Sequence, residues 1–315
     1  MTSPTRRTIL IRLLGAASAW LVSARGQRYA AAPLGRDDPV KRAVDASRSA
    51  AKALQSGVAV VAFETSFQEP EDKDLRLLSK GQSDVYFDGK KNHIRFKYET
   101  KLTRVQRRGR AEVELVERKP KDLAVIYDGT KAHVVTYFDR GDRLVCRVEI
   151  HSGLDDIRTE VQGDPTQFWL SFVDLETIMK TVKRDAMEVT ERDGGVWRLS
   201  YQPFARSKDR FEIEISSKAG YNPTRFRVVN PAVDKPAYDC SAKWTKSGDN
   251  WHVEELVKDF RYRSQEKPGS TLERSVFRYK SFKPNAKVDA KLFTLDCLTI
   301  PPGSRTFDHR PPEKR

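Results

Sequence analysis

The chain has 315 residues, of which 58 are Lys or Arg and 44 are Asp or Glu, so its formal net charge is +14. Hydrophobic residues make up 38% and charged residues 32%, a balance that excludes collagen-like, low-complexity and multi-span membrane proteins. The 15 Phe, 10 Tyr and 5 Trp exclude wholesale disorder, because a chain this rich in aromatic rings has to bury them.

The N-terminal residues have the pattern of an export signal. Arg6 and Arg7 precede an apolar, small-residue run that ends near Ala24, and this run is shorter than the roughly 20 residues a membrane-spanning helix needs. We therefore predict a cleaved signal peptide over residues 1–24 and a periplasmic or otherwise exported protein. The arginine pair partly resembles the twin-arginine signal, with Ile9 where Phe is usual, and an ordinary secretion signal fits as well.

The chain that follows is interpreted as one domain. Residues 25–37 lack periodicity and are predicted to be a flexible lead-in, residues 38–300 to be a single folded domain, and residues 301–315 to be a C-terminal tail. The domain opens with a predicted helix from about Pro39 to Ser56, because apolar residues recur there at helical spacing.

After this helix, apolar and polar residues alternate with period two, which is typical of half-buried strands. We expect roughly ten to twelve strands. Short turns join most of them, so their neighbours should be antiparallel. The turn pairs that favour hairpins are Asp88-Gly89, Asp128-Gly129, Asp193-Gly194 and Ser247-Gly248.

One amphipathic helix, predicted from Pro165 to Met187, interrupts the strands. An antiparallel sheet this long has to curl in order to bury one face. The predicted fold class is therefore mainly β with helices (α+β), a strongly curved, unclosed antiparallel half-barrel covered by helices.

The sequence contains no local signature of catalysis. It lacks G-x-S-x-G, H-E-x-x-H, a P-loop and G-x-G-x-x-G, and its five histidines are scattered singly. We predict no enzyme activity, no cofactor and no metal site, although an active site assembled from distant residues is an alternative. Three cysteines do not form a disulfide framework, and whether Cys240 and Cys297 pair is left open.

A basic cluster suggests a second kind of function. Arg104, Arg107, Arg108 and Arg110 surround Gly109. In a cytoplasmic protein this cluster would indicate nucleic acid, but after export the available polyanions are lipid headgroups and envelope polymers. The basic residues therefore allow two interpretations. The protein binds a polyanion or protein partner of the cell envelope through a basic face, or the charge only keeps the protein soluble.

Several segments resemble the outer-membrane lipoprotein carrier (LolA-like) superfamily, in a long exported variant. The matching segments are Phe63–Phe67 after the first helix, Tyr86–Gly89, Ile94–Tyr98, Tyr127–Gly129, and the ends Phe293–Leu295, Pro301–Ser304 and Asp308. The resemblance implies an unclosed, curved β-barrel with helices as a lid over an apolar cavity. It also implies that the protein carries acyl chains through the periplasm without catalysis.

The apolar faces of the predicted strands and helix supply the candidate cavity. A carrier needs an apolar surface that its own side chains do not fill, and the alternative is that the same residues form an ordinary core. The expected partner is a lipid or lipoprotein acyl chain, with a membrane surface or envelope proteins as further partners and no nucleic acid. The candidate ligand-binding residues are Phe63, Phe67, Val85, Phe87, Ile94, Phe96, Phe168, Trp169 and Phe172.

Overall fold

The structure, a computed structural model, describes residues 38–53, 55–89, 91–106, 113–117, 122–140, 143–153, 186–202, 208–233, 235–263 and 270–310. The predicted signal peptide, the lead-in and nearly all of the predicted helix 165–187 lie outside these residues. Met187, the last residue of that prediction, is not helical and precedes a strand.

The described residues form mainly strands. Their bounds are β1 Ser56–Gln68, β2 Arg76–Asp88, β3 Lys91–Gln106, β4 Val113–Glu117, β5 Leu123–Tyr127, β6 Ala132–Arg140, β7 Arg143–His151, β8 Glu188–Arg192, β9 Val196–Tyr201, β10 Arg210–Ser216, β11 Asn222–Val229, β12 Tyr238–Ser247, β13 Asn250–Arg263, β14 Ser270–Pro284 and β15 Arg305–Asp308. The predicted hairpins are confirmed, with positive φ at their turn glycines, such as 57° at Gly89 and 100° at Gly129.

All fifteen strands belong to one sheet. Fourteen follow the order β15-β7-β6-β5-β3-β2-β1-β14-β13-β12-β11-β10-β9-β8, and β4 pairs with β3 beside this path. Within the described residues β15 and β8 are the two ends of the order, so the sheet does not close.

Irregular pairing bends the long central strands. The register shifts between Val60 and Val61 against β14, between Lys80 and Gly81 against β3, and at other points along the sheet. An extra residue in one strand bends that strand and increases its twist. A sheet of this length therefore curves, as the sequence predicts.

The described residues contain one α-helix, α1 (Pro39–Ala53). The side chain of Asp38 accepts a 2.8 Å hydrogen bond from the Val40 amide and caps its N-terminus. The predicted C-terminal end at Ser56 is three residues too long, because Ser56 already pairs in β1. In this part of the chain, no helix combines the length and the hydropathy that a membrane crossing requires.

Two hydrophobic clusters form the core, one on each face of the sheet. The large cluster joins side chains from β1 to β3, β5, β6 and β9 to β14 with three residues of α1. The small cluster lies on the opposite face of β5 to β7. Leu298 belongs to it, and Leu295 and Cys297 of the 3-10 turn Leu295–Cys297 pack against it.

The structure corrects two expectations and answers one question that the sequence leaves open. A sheet covered by helices is not supported, since the described residues include only α1. Not every neighbour is antiparallel: β15 pairs in parallel with β7, which its distance along the chain permits, because a long connection separates the two strands. All three cysteines are free, with Cys146 and Cys240 buried and Cys297 partly buried.

Candidate functional site

One face of the sheet is apolar over most of its width, and we call it the apolar face. Strand alternation places every second side chain there, and cross-strand pairs such as Val85 with Ile94 and Phe63 with Phe277 keep the apolar residues in line. The buried members of its cluster on strands are Ala59, Val61, Phe63, Val85, Ile94, Phe96, Val125, Ala132, Val134, Leu199, Tyr201, Ile213, Ile215, Phe226, Tyr238, Cys240, Val253, Leu256 and Phe277.

The six candidate cavity residues on described strands all lie on this side of the sheet and are buried. They are between 0% and 7% exposed: Phe63, Phe67, Val85, Phe87, Ile94 and Phe96. Four of them belong to the large cluster, whereas Phe87 stacks on Phe282 at 6.3 Å and Phe67 lies outside that cluster. In this structure these six side chains are therefore buried in the protein's own packing.

Two glycines make room for the rings of this face. A Cβ at Gly81 would lie 2.8 Å from the Phe63 ring and would overlap the Lys97 carbonyl oxygen. A Cβ at Gly57 would lie 2.6 Å from the Phe87 ring. Phe63 uses the space at Gly81 to form edge contacts with Phe96 and Tyr98 at 5.9 and 5.2 Å.

Helix α1 packs on the apolar face at β11 and β13. Its apolar side, Val40, Ala43 and Val44, is buried in the large cluster. At its rim, the Arg42 guanidinium donates a 2.6 Å hydrogen bond to the Tyr221 hydroxyl and lies 5.2 Å from that ring's centroid. We call this contact the α1 latch.

Tyr221 has an unusual backbone for its type. Its φ is +64°, a region that aromatic residues seldom adopt, and its ring stacks on Trp197 at 5.5 Å. The preceding Gly220 also has positive φ, and a Cβ there would overlap the Trp251 indole nitrogen. The tight turn therefore fixes the Tyr221 ring where α1 reaches it.

A line of polar side chains crosses the apolar face, and we call it the polar row. Cross-strand pairing aligns its members, which are Cys240 of β12, Lys258 of β13, Ser275 of β14, Thr65 of β1 and Ser79 of β2. The Thr65 and Ser275 hydroxyls are 3.1 Å apart and share a hydrogen bond. The Lys258 ammonium lies 5.2 Å from the centre of the Phe277 ring.

Burial changes the acid–base behaviour of the polar row. It lowers the pKa of Lys258 to about 8, because the charged ammonium loses water. The same cause raises the pKa of the Cys240 thiol to about 11. At neutral pH the polar row therefore carries one cation and a neutral thiol.

The opposite face of β9 to β14 is held by ion pairs. Arg198 and Arg227 share the carboxylates of Glu212 and Glu214 at 2.6 to 3.7 Å. These four side chains are only 16% to 19% exposed, so their charges are screened less than on an open surface.

The same network continues across β11 to β14. Arg225 binds Asp239 through two hydrogen bonds of 2.9 and 2.6 Å, and Arg274 binds Asp259 through two of 2.7 Å. Each carboxylate raises the pKa of its arginine further. The charges of these arginines are therefore compensated within the sheet.

A depression of about 370 Å³ lies on the opposite face between β1, β2 and β14. It is lined by Glu64, Ser66, Leu75, Leu77, Lys80, Arg274 and Val276. Charged and apolar groups alternate in this lining, so it does not resemble the apolar cavity that an acyl chain needs.

Cys297 and His93 form a partly buried thiol–imidazole contact. Cys297 Sγ, at the end of the 3-10 turn Leu295–Cys297, lies 3.8 Å from His93 Nδ1. Burial raises the pKa of the Cys297 thiol and lowers the pKa of His93 to about 4. Both groups are therefore neutral at pH 7, whereas an activated cysteine is a thiolate beside a charged partner.

Several predicted site residues lie outside the described part of the chain. These are Phe168, Trp169 and Phe172 of the candidate cavity, and Arg107, Arg108 and Arg110 of the basic cluster. Arg104 lies on β3 and pairs with Leu115 of β4.

Sequence reasoning missed the polar row and a group formed by Glu149, His151 and His309. Each polar-row residue by itself resembles an isolated polar position on a strand, and only the register across five strands aligns them. His151 and His309 are far apart in the chain, and the parallel pairing of β15 with β7 brings them together. No local spacing signals either group.

Two solved structures show limited similarity to the chain. A DUF1329 family protein from Desulfovibrio piger has a TM-score of 0.40 and 10% identity, with 83% of this chain and 99% of that chain covered. A porin-like protein from Bacteroides uniformis has a TM-score of 0.21 and 8% identity, covering 70% and 96%. No protein-family profile and no curated protein matches the sequence.

Proposed function

We propose that the protein is an exported, non-catalytic carrier that binds the acyl chain of a lipid or lipoprotein against the apolar face of its sheet. The observation that supports this most strongly is the large hydrophobic cluster on one face of an unclosed sheet. In the order of the sheet, this cluster extends from β6 through β1 and β14 to β9. Each methylene buried there contributes about 0.8 kcal/mol, so ten methylenes give roughly 8 kcal/mol without any polar contact.

The polar row gives the ligand a direction. An acyl chain ends in a carboxylate, ester or amide, and on the apolar face Lys258 lies between the Cys240 thiol and the Thr65–Ser275 hydroxyl pair. With a pKa of about 8, Lys258 is cationic at neutral pH. We expect the polar end of the ligand at this row and the hydrocarbon along the rings of Phe63, Phe96 and neighbouring residues.

Titration with a fluorescent fatty acid, and displacement by palmitate or its methyl ester, tests both parts of the proposal. Lys258→Met keeps the apolar stem and removes the charge, and it should fold, because exchanging a buried charge for an apolar group of similar size is often tolerated. We expect about tenfold weaker palmitate binding, equivalent to about 1.4 kcal/mol, and unchanged binding of the methyl ester.

Arg278→Met is the matched control, since Arg278 is a cation on the opposite face that pairs with Glu255 at 2.7 Å. This substitution should leave the binding of both palmitate and its methyl ester unchanged. Absence of saturable binding to the unmodified protein would reject the carrier function. Equal palmitate binding by the Lys258 variant would reject only the placement of the polar end.

The competing function is an envelope protein that binds a polyanion through Arg104, Arg107, Arg108 and Arg110. It predicts salt-sensitive binding to anionic vesicles that Arg107→Glu and Arg108→Glu weaken, because exposed charges are screened by salt. This alternative also predicts that Lys258→Met leaves the binding to anionic vesicles unchanged.

A further inference from the structure

Glu149 and His151 of β7 and His309 just after β15 form a cluster of metal-ligating side chains. One ligand atom from each lies within 4.8 Å of the others. The two imidazole rings stack with centroids 5.0 Å apart, and His309 Nε2 is 3.7 Å from Glu149 Oε1. Across the described residues, this is the one group of three such side chains that is close enough to share an ion.

The backbone places these three groups on the same side of the sheet. Glu149 and His151 are two positions apart on β7 and pair with Val134 and Ala132, which are apolar-face residues. Parallel pairing puts Phe307 beside Glu149, and the His309 amide donates a 2.9 Å hydrogen bond to the Ile150 carbonyl oxygen. Both strands therefore fix the positions from which the ligands project, at the edge of the apolar face.

The donor set is suited to a borderline divalent transition metal. Two imidazoles and one carboxylate hold Zn²⁺ in many proteins, and they leave one tetrahedral position for water or an exogenous ligand. Donor atoms about 2.0–2.1 Å from zinc are roughly 3.4 Å from one another. The observed 4.8 Å limit requires a modest rotation of side chains that are only half-buried or exposed.

Arg147 is the charged neighbour of this cluster. It forms an ion pair with Glu149 Oε1, and its guanidinium lies 4.7 Å from the centre of the Phe307 ring. A carboxylate has a second oxygen, so this ion pair leaves Oε2 of Glu149 for a metal ion. In that arrangement Arg147 orients the carboxylate by holding one of its oxygens, as outer partners do for metal ligands in other proteins.

We propose that Glu149, His151 and His309 bind one divalent transition-metal ion, with Zn²⁺ as the preferred probe, and that this ion fastens β15 to β7. All four residues of β15 are exposed, so little burial holds the strand in place. A shared ion links residues far apart in the chain and stabilises the folded arrangement in proportion to its binding free energy.

Calorimetric titration of the EDTA-treated, dialysed full chain with Zn²⁺ tests the site, together with the visible absorption spectrum of the Co²⁺ form. We expect one ion per chain and a spectrum of low-coordinate cobalt. Loss of an outer partner of a ligand costs up to about a hundredfold in metal affinity, so His309→Ala and His151→Ala, which remove ligands, should each weaken Zn²⁺ binding by at least that factor. The matched control is His252→Ala, a histidine of β13 outside the cluster, which should bind Zn²⁺ with unchanged affinity.

Hydrogen exchange then separates this site from adventitious binding. Zn²⁺ should slow hydrogen exchange at the amides of residues 305–310 in the unmodified protein. In the His309→Ala variant, Zn²⁺ should leave the exchange rates of these amides unchanged. Absence of binding, binding that both histidine variants retain, or binding without protection of these amides would each overturn the proposal.

Discussion

His93 is a neutral, buried histidine beside the 3-10 turn Leu295–Cys297. Its side chain is 4% exposed, its Nδ1 lies near the Cys297 thiol, and its ring lies 5.6 Å from Tyr86. Burial lowers the pKa of His93 from 6.5 to about 4. Protonation is therefore more favourable in the unfolded chain than in the folded one.

The contribution of His93 to stability is present above pH 6.5 and is lost as the pH falls toward 4. The shift corresponds to about 3 kcal/mol at its full extent. We predict that the free energy of unfolding, measured with urea, falls by about this amount between pH 7 and pH 4 because of His93. In His93→Gln the fall should be smaller by a similar amount, and an identical pH dependence in both proteins would contradict this assignment.

Gly81 is a second residue whose role follows from a close approach. An alanine methyl group there would overlap the Lys97 carbonyl oxygen and the Phe63 ring. We predict that Gly81→Ala lowers the free energy of unfolding by about 1–3 kcal/mol, since the backbone has to shift. Gly153→Ala is the control, because a methyl group at Gly153 would meet no atom within 4 Å; equal effects of the two substitutions would contradict the argument.

Among the described elements, α1 packs on the apolar face at β11 and β13, and the α1 latch is its polar attachment. Hydrogen bonding and the cation–π contact between Arg42 and Tyr221 contribute about 1 kcal/mol at such a partly exposed site. Removing them should let α1 separate from β11 and β13 more often.

We predict that Arg42→Ala raises hydrogen-exchange rates in α1 by about fivefold, and that it speeds release of a bound fatty acid by a similar factor. Arg48→Ala is the matched control on the same helix, since Arg48 forms a half-exposed pair with Asp45 at 3.8 Å, which contributes little. Faster exchange without faster release would show that α1 is not the element that opens.

Sequence patterns predicted most of these elements because the responsible interactions are local. Alternation and glycine turns specify hairpins such as β2–β3 and β5–β6, and Asp38 marks the start of α1. The sequence does not predict β15, because its four residues are all exposed and lack the apolar–polar alternation of a half-buried strand. Its partner β7 also lies far away in the chain. The polar row was missed for the same reason, since it depends on register across five strands.

Over β9 to β14, the two faces of the sheet have opposite character. The apolar face concentrates rings and branched side chains in one cluster, and the opposite face of β9 to β14 compensates its charges through ion pairs. A long antiparallel sheet with one apolar face has to be covered or occupied. The carrier proposal is that a ligand chain occupies part of this face when α1 and its neighbours move apart.

Lipid extraction and mass spectrometry of the protein purified from its native envelope show whether it carries an acyl chain. We expect about one acyl-bearing molecule per chain, retained through purification because hydrocarbon burial on the apolar face holds it. A protein that carries no acyl species after gentle isolation, at a sensitivity of about one molecule per ten chains or better, would contradict the carrier proposal.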